Sequence, residues 1–151
     1  MGATKFYMSG EARWAKVFDH NKDNFKGKTF FSIDLVISDE DYERFRETKS
    51  AHKPKKGDDG RWYIQLRRNE DAAREEWGGP PNVIIEDPEN PGSYIPFTEN
   101  IGNGSEVTVS FVVYDAPAFG VRGTRLESVR VDRHVEFGGT KVDTTGIDVP
   151  F

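Results

Sequence analysis

The sequence predicts a predominantly β protein with one α-helix, folded as a single small barrel. Three observations carry this: runs in which apolar and polar residues alternate at period two, clusters of Gly, Pro, Asn and Asp between those runs, and one segment with a helix start signal. A chain of 151 residues suits one domain around one core.

In chain order, Glu11 to Phe18 reads as an aromatic-rich strand that ends in a turn-like stretch, Asp19 to Lys28. Thr29 to Ile37 alternates, with Phe31, Ile33, Leu35 and Ile37 on one side and Phe30, Ser32 and Asp34 on the other, the pattern of a half-buried strand. Ser38 is an N-cap residue, and Asp39, Glu40 and Asp41 fill the first turn, where the helix dipole favours negative charge. Tyr42 and Phe45 share a face of that helix, which ends by Ser50. Lys49 to Gly60 is a polar, basic loop. Arg61 to Arg68 is the next strand, Trp62, Ile64 and Leu66 pointing one way and Tyr63, Gln65 and Arg67 the other.

Asn69 to Gly104 holds five prolines (Pro80, Pro81, Pro88, Pro91, Pro96) and reads as a long excursion, with a short hairpin built from Val83–Ile85 and Tyr94–Phe97 and a helical turn at Ala72–Trp77. Glu106 to Tyr114 is the cleanest strand, Val107, Val109, Phe111 and Val113 opposing Thr108, Ser110, Val112 and Tyr114. Val121 to Phe137 supplies the last, with core positions Leu126, Val129, Val131 and Val135; the slip in phase between Leu126 and Val129 predicts a bulge. Five main strands with a helix between the second and third fit an OB-type Greek-key barrel, closed or partly closed. The expected division is a domain over residues 1–137 and a flexible tail over 138–151.

Composition narrows the function. Apolar residues make up 35% and charged residues 31%, while aromatics at 13% supply large buried areas to a modest core. With no cysteine, disulfides and thiolate metal sites are excluded. Met1 to Gly10 has no apolar h-region and no segment is long and apolar enough to span a bilayer, so the expectation is a soluble, intracellular protein. Net charge is −5, yet the charge is polarised: Arg44 to Arg68 carries nine Lys/Arg against three acids, and Asn69 to Glu106 one base against nine acids. Local potential, more than net charge, attracts a polyanion.

No catalytic constellation is found. His20, His52 and His134 have no partner at metal-ligand spacing, and there is no phosphate loop or GxSxG motif. The expectation is a non-enzyme without cofactor or metal. What remains is aromatic residues interleaved with bases on strands, as in Arg13-Trp14-Ala15-Lys16 and Arg61-Trp62-Tyr63 to Arg67. Single-stranded nucleic acid requires rings for bases to stack on and a basic groove for phosphates. Alternation exposes Tyr63 and Arg67 together; Trp62 is either core or a stacking ring. Trp14 shares a face with Lys16, which makes burial of that face awkward. Phe30 is either a stacking ring or covered by the helix, and Tyr114 faces away from the core side of its strand. Arg122 and Arg125 are phosphate contacts or plain solubilising charges.

Four colinear blocks, Gly10–Phe18, Phe31–Val36, Ile101–Val109 and Gly123–Val131, resemble phage OB-fold single-stranded-DNA-binding proteins over about Gly10 to Phe137. The resemblance implies a barrel whose groove coats single-stranded DNA, independently of sequence, during phage replication and recombination in the infected host's cytoplasm, as a monomer or homodimer. It also implies a C-terminal tail that recruits replication or recombination enzymes: Asp148, Pro150 and Phe151 look like the tip of bacterial single-stranded-DNA-binding proteins. This tail departs from that pattern in having only Asp143 and Asp148 with Lys141, and Phe151 could equally pack onto the barrel. The rival reading is a non-enzymatic β-barrel module for protein interaction or virion structure, which needs no basic groove.

Overall fold

The computed structural model describes residues 3–50, 52–72, 74–116 and 121–135, with backbone only at 116 and 121. Among these residues nine strands, one α-helix and one 3₁₀ turn follow in the order β1 (Ala3–Lys16), β2 (Asp23–Phe25), β3 (Lys28–Ile37), α1 (Asp39–Glu47), β4 (Lys55–Lys56), β5 (Trp62–Asn69), the 3₁₀ turn Glu75–Trp77, β6 (Asn82–Glu86), β7 (Tyr94–Pro96), β8 (Glu106–Ala116) and β9 (Val121–Arg133). The described ladders form one open path, β4-β5-β3-β1-β8-β9-β6-β7, with β2 paired to β3. Its five long strands make an OB-like barrel with α1 between β3 and β5, and β5 approaches β9 across the remaining seam.

Each long strand turns one set of alternating residues into the core, and in β3 and β8 the other face is partly covered as well, burying Ser32, Val36, Ser110 and Val112. Ile33, Leu35 and Ile37 of β3, Ile64 and Leu66 of β5, Val107, Val109, Phe111 and Val113 of β8, and Leu126, Val129 and Val131 of β9 fill one core, and Phe31 of β3 is fully buried beside Arg68 of the paired strand. Phe111 stacks on Phe6 at 5.6 Å, and the Phe45 ring of α1 lies 5.8 Å away on the barrel mouth. The helix begins where its cap predicts: the Ser38 hydroxyl accepts the Asp41 amide at 3.1 Å.

β1 serves two neighbours, pairing with β8 along Ala3–Glu11 and with β3 along Glu11–Lys16. Gly10 sits at the changeover, where an added Cβ would lie 2.0 Å from the Val36 carbonyl oxygen, so only glycine lets the backbones approach. Further on, Arg13 opposes Asp34 and Lys16 opposes Ser32, so three steps on β1 match two on β3. This is a β-bulge. It places Lys16 on the face of Arg13, and Trp14, with φ of 51°, falls inside the irregularity. The expected common face of Trp14 and Lys16 is thereby replaced. The phase slip expected in the last strand is real: Ser110 pairs with Ser128 but Phe111 with Leu126, which leaves Glu127 as the extra residue.

The sequence reading began the first strand at Glu11, because Phe6 and Met8 alone give too short an apolar alternation ahead of it. The four additional strands are short. β6 and β7 are the hairpin expected in the proline-rich excursion, but β6 also pairs in parallel with β9, a long-range contact that local pattern does not encode.

Arg68 ties the β5–β9 seam together with hydrogen bonds. Arg68, 7% exposed, continues the inward phase of Ile64 and Leu66. It donates to the Leu126 carbonyl at 3.2 Å and the Glu127 carboxylate at 2.7 Å on β9, and to the carbonyls of Glu76, Gly78 and Gly79 at 2.8 to 2.9 Å. All three of its nitrogens are engaged. A planar guanidinium suits this task because its donors fan out in fixed directions.

Candidate nucleic-acid interface

The outward residues of β1, β3 and β5 form rows across the sheet. Lys16, Ser32 and Arg67 make one row, Arg13, Asp34 and Gln65 the next, and Glu11, Val36 and Tyr63 the third. Phe30 lies one step beyond Ser32, half-buried, with the Arg67 guanidinium 4.7 Å from its ring centroid. Among the described residues Arg67 forms no ion pair, and its one side-chain hydrogen bond is a long contact to Gln65 at 3.5 Å. It is thus a solvent-facing cation already stacked on an aromatic ring.

From Arg67 the surface continues over the seam into a groove of about 800 Å³ lined by Arg67, Asn69, Trp77, Tyr114 and Arg125. The Arg125 guanidinium lies 5.6 Å from the Tyr114 ring and 5.3 Å from that of Trp77, with a long contact of 3.4 Å to Glu127. Tyr114 lies across its cross-strand partner Gly123, where a Cβ would meet the ring at 2.6 Å. A glycine there lets the ring lie down beside Arg125.

The structure thus brings Lys16, Phe30, Arg67, Tyr114 and Arg125 onto one continuous surface, keeps Arg13 and Tyr63 in the neighbouring rows of its β1-β3-β5 face with Trp14 at its margin, and turns Trp62 and Arg122 away from it. Arg13 is held by Glu11 and Asp59, each at 2.8 Å, and Arg61 bonds the same two acids. Trp14 is 65% exposed beside this cluster, its amide donating to the Asn103 side chain at 2.8 Å. Trp62 stacks on Tyr42 of α1 at 4.1 Å and carries Lys56 over its ring, so it belongs to the helix side. Tyr63 faces outward, but at the far end of β5 from Arg67, beside Lys55. Arg122 leaves β9 on the side of the buried Thr124 and Leu126, opposite Arg125, and binds Asp115 and the Thr48 carbonyl. Asp148, Pro150 and Phe151 lie outside the described residues.

Two residues named in the sequence were not recognised for the roles they take. Trp77 sits in a polar stretch without periodicity, where its only signal was a large ring with no apolar neighbours. Arg68 was legible as a charge in phase with Ile64 and Leu66.

Carboxylates temper the basic surface. Burial raises Asp34, and its hydrogen bond with Gln65 and the charges of Lys55, Arg67 and Arg13 only partly offset this. Burial also pushes Glu11 up, but hydrogen bonds from Arg13 and Arg61 outweigh it and leave the carboxyl below its ordinary value. The Arg61 amide, then the Arg13 and Arg61 side chains, hold Asp59 far below the usual range. Lys16 is paired with Asp23 at 2.8 Å, an exposed contact that a phosphate can replace. Among the described residues no group of three His, Asp or Glu is arranged to hold a metal ion, and no helix is long and apolar enough to cross a membrane.

The same architecture occurs in the single-stranded-DNA-binding protein of bacteriophage Enc34, at 19% identity and a TM-score of 0.55, covering 95% of this chain and 88% of that one. This is the fold of phage single-stranded-DNA-binding proteins. The Enc34 protein in complex with single-stranded DNA aligns at 18% identity and a TM-score of 0.57, over 91% of this chain and 90% of that one. The gp2.5 single-stranded-DNA-binding protein of bacteriophage T7 has the phage fold too, at 18% identity and 0.54, over 96% and 94%. No family model matches the sequence, and no curated protein matches it significantly. The relation is therefore one of fold, carried by nearly the whole chain.

Proposed function

We propose that the chain binds single-stranded DNA without sequence preference, across the outward face of β1, β3 and β5 and the groove at the β5–β9 seam. The observation that carries this is Arg67, without a carboxylate partner among the described residues, stacked on Phe30 and continuous with Tyr114 and Arg125, on a fold whose solved neighbours include a complex with single-stranded DNA. Lys16, Arg67 and Arg125 take phosphates. Phe30 and Tyr114 offer ring faces to bases, and a ring face accepts any base, so sequence tolerance follows. Trp14, exposed and in a left-handed backbone conformation at a bulge, extends the surface toward the Asn103 loop. Duplex keeps its bases stacked internally and cannot use the rings.

No metal or cofactor enters this reading, and coating DNA is not catalysis. The biological setting proposed is phage DNA replication and recombination in the infected cell, with Asp148, Pro150 and Phe151 recruiting partner enzymes.

The test is fluorescence anisotropy of labelled oligo-dT and of a duplex of equal length, over a salt series. Three phosphate contacts on a single strand give a slope of log K against log salt of about −2, so affinity falls roughly 16-fold between 50 and 200 mM. Duplex binds far more weakly. Equal affinity for both, or a flat salt response, refutes the reading.

A further inference from the structure

Resting on the single-strand reading, we propose that Trp77 is a nucleobase-stacking platform, and that the groove at the β5–β9 seam seats one base of the bound strand upon it. Trp77 is 36% exposed in a polar loop, a large ring that the barrel core does not use.

The platform is held rigidly although it stands on a loop. Arg68 donates to the carbonyls on either side of the ring, those of Glu76, Gly78 and Gly79. The Gly79 amide donates to the Glu70 carbonyl at 2.8 Å, and Gly78 passes so close to that carbonyl that a Cβ would meet its oxygen at 2.6 Å. A ring fixed before the ligand arrives loses little freedom on binding, so more of the stacking energy becomes affinity.

The surrounding charges suit a nucleotide. Two guanidinium groups lie over the indole, those of Arg74 and Arg125, both at 5.3 Å. They differ in freedom. The Arg125 side chain is 17% exposed and also engaged by Tyr114 and Glu127, whereas that of Arg74 is 62% exposed and, among the described residues, paired with the exposed Glu76 alone. Arg74 can swing off the ring and let a base replace it, while Arg125 stays. Arg67 opens into the same groove and can take the adjoining phosphate, and the exposed Asn69 offers an amide to a base edge. A groove of about 800 Å³ lies within the roughly 300–1,000 Å³ of pockets that enclose small ligands. The occupant is an unpaired base, since a stacked base pair presents no free face.

Two variants test this with oligo-dT: Trp77→Ala for affinity by anisotropy, and Trp77→Phe for the quenching of intrinsic tryptophan fluorescence. Thermal melts confirm that both fold like the native chain. The expected result is a loss of affinity of roughly 5- to 100-fold in Trp77→Ala, the worth of one stacked base. Trp77→Phe keeps most of the affinity but loses most of the quenching. Native affinity in Trp77→Ala together with undiminished quenching in Trp77→Phe overturns the platform while leaving the single-strand reading intact. Failure of the native chain itself to bind oligo-dT overturns both.

Discussion

Replacing Arg68 with methionine keeps most of the side chain's length and removes every donor. Four backbone carbonyls on two elements and the Glu127 carboxylate would lose their partner at once. Breaking a buried ion pair from one side costs about 3–5 kcal/mol, because the remaining charge is left in a poor medium. Glu127 is 25% exposed and keeps a contact with Arg125 at 3.4 Å, and the loop carbonyls can turn to water, so the lower end applies. The expected loss is about 3 kcal/mol, which for a domain of this size lowers the melting midpoint by about 6–12 °C. Urea unfolding followed by circular dichroism reads it directly. Arg68→Lys recovers little, since an ammonium cannot span carbonyls that lie in several directions. A loss below about 1 kcal/mol in Arg68→Met would refute the claim that this side chain ties the seam together.

Arg67→Ala should leave the melting midpoint unchanged, weaken oligo-dT binding, and reduce the salt slope by about 0.7, as one phosphate contact is removed. Asp34→Asn should tighten binding at neutral pH, because it removes a carboxylate from the row beside Lys16 and Arg67. Its raised pKa means that the folded chain holds this proton more firmly than the unfolded one. Asp34 therefore costs stability as pH rises from the ordinary carboxylate range through the raised value, and Asn abolishes that part of the pH dependence in a melting series. Gly10→Val drives a side chain into the Val36 carbonyl and should cost about 3 kcal/mol, the upper end for overpacking because the obstacle is backbone, visible as a lowered urea midpoint.

Much of the barrel was legible because its signals are local. Period-two alternation located β3, β5 and β8, the Ser38 cap located α1, and the slipped phase of Leu126 and Val129 located the β9 bulge. The bulge at Trp14 was hidden, since Arg13-Trp14-Ala15-Lys16 carries no apolar repeat whose phase could slip, and Lys16 consequently lies on the face of Arg13 instead. Pairings across long sequence distances were hidden too, among them the parallel contact of β6 with β9 and the grip of Arg68 on the loop that carries Trp77. Of the candidate interface, alternation identified the outward pair Tyr63 and Arg67, about 13 Å apart along β5, but not that only the Arg67 end opens into the groove at the seam. Arg122 and Arg125 looked alike in sequence, yet a spacing of three on a strand puts them on opposite faces. Arg13 read as a candidate DNA contact, whereas Glu11 on its own strand and Asp59 from a distant loop both pair with it.

The most direct test of where the strand lies is photocrosslinking to oligonucleotides carrying 5-bromodeoxyuridine, followed by mass spectrometry of the linked peptides. Crosslinks should concentrate on Phe30, Trp77 and Tyr114, the rings grouped around Arg67 and Arg125. Crosslinks confined to Tyr42 and Trp62 on the helix side, or to Tyr94 on the β6–β7 hairpin, would contradict this placement of the DNA.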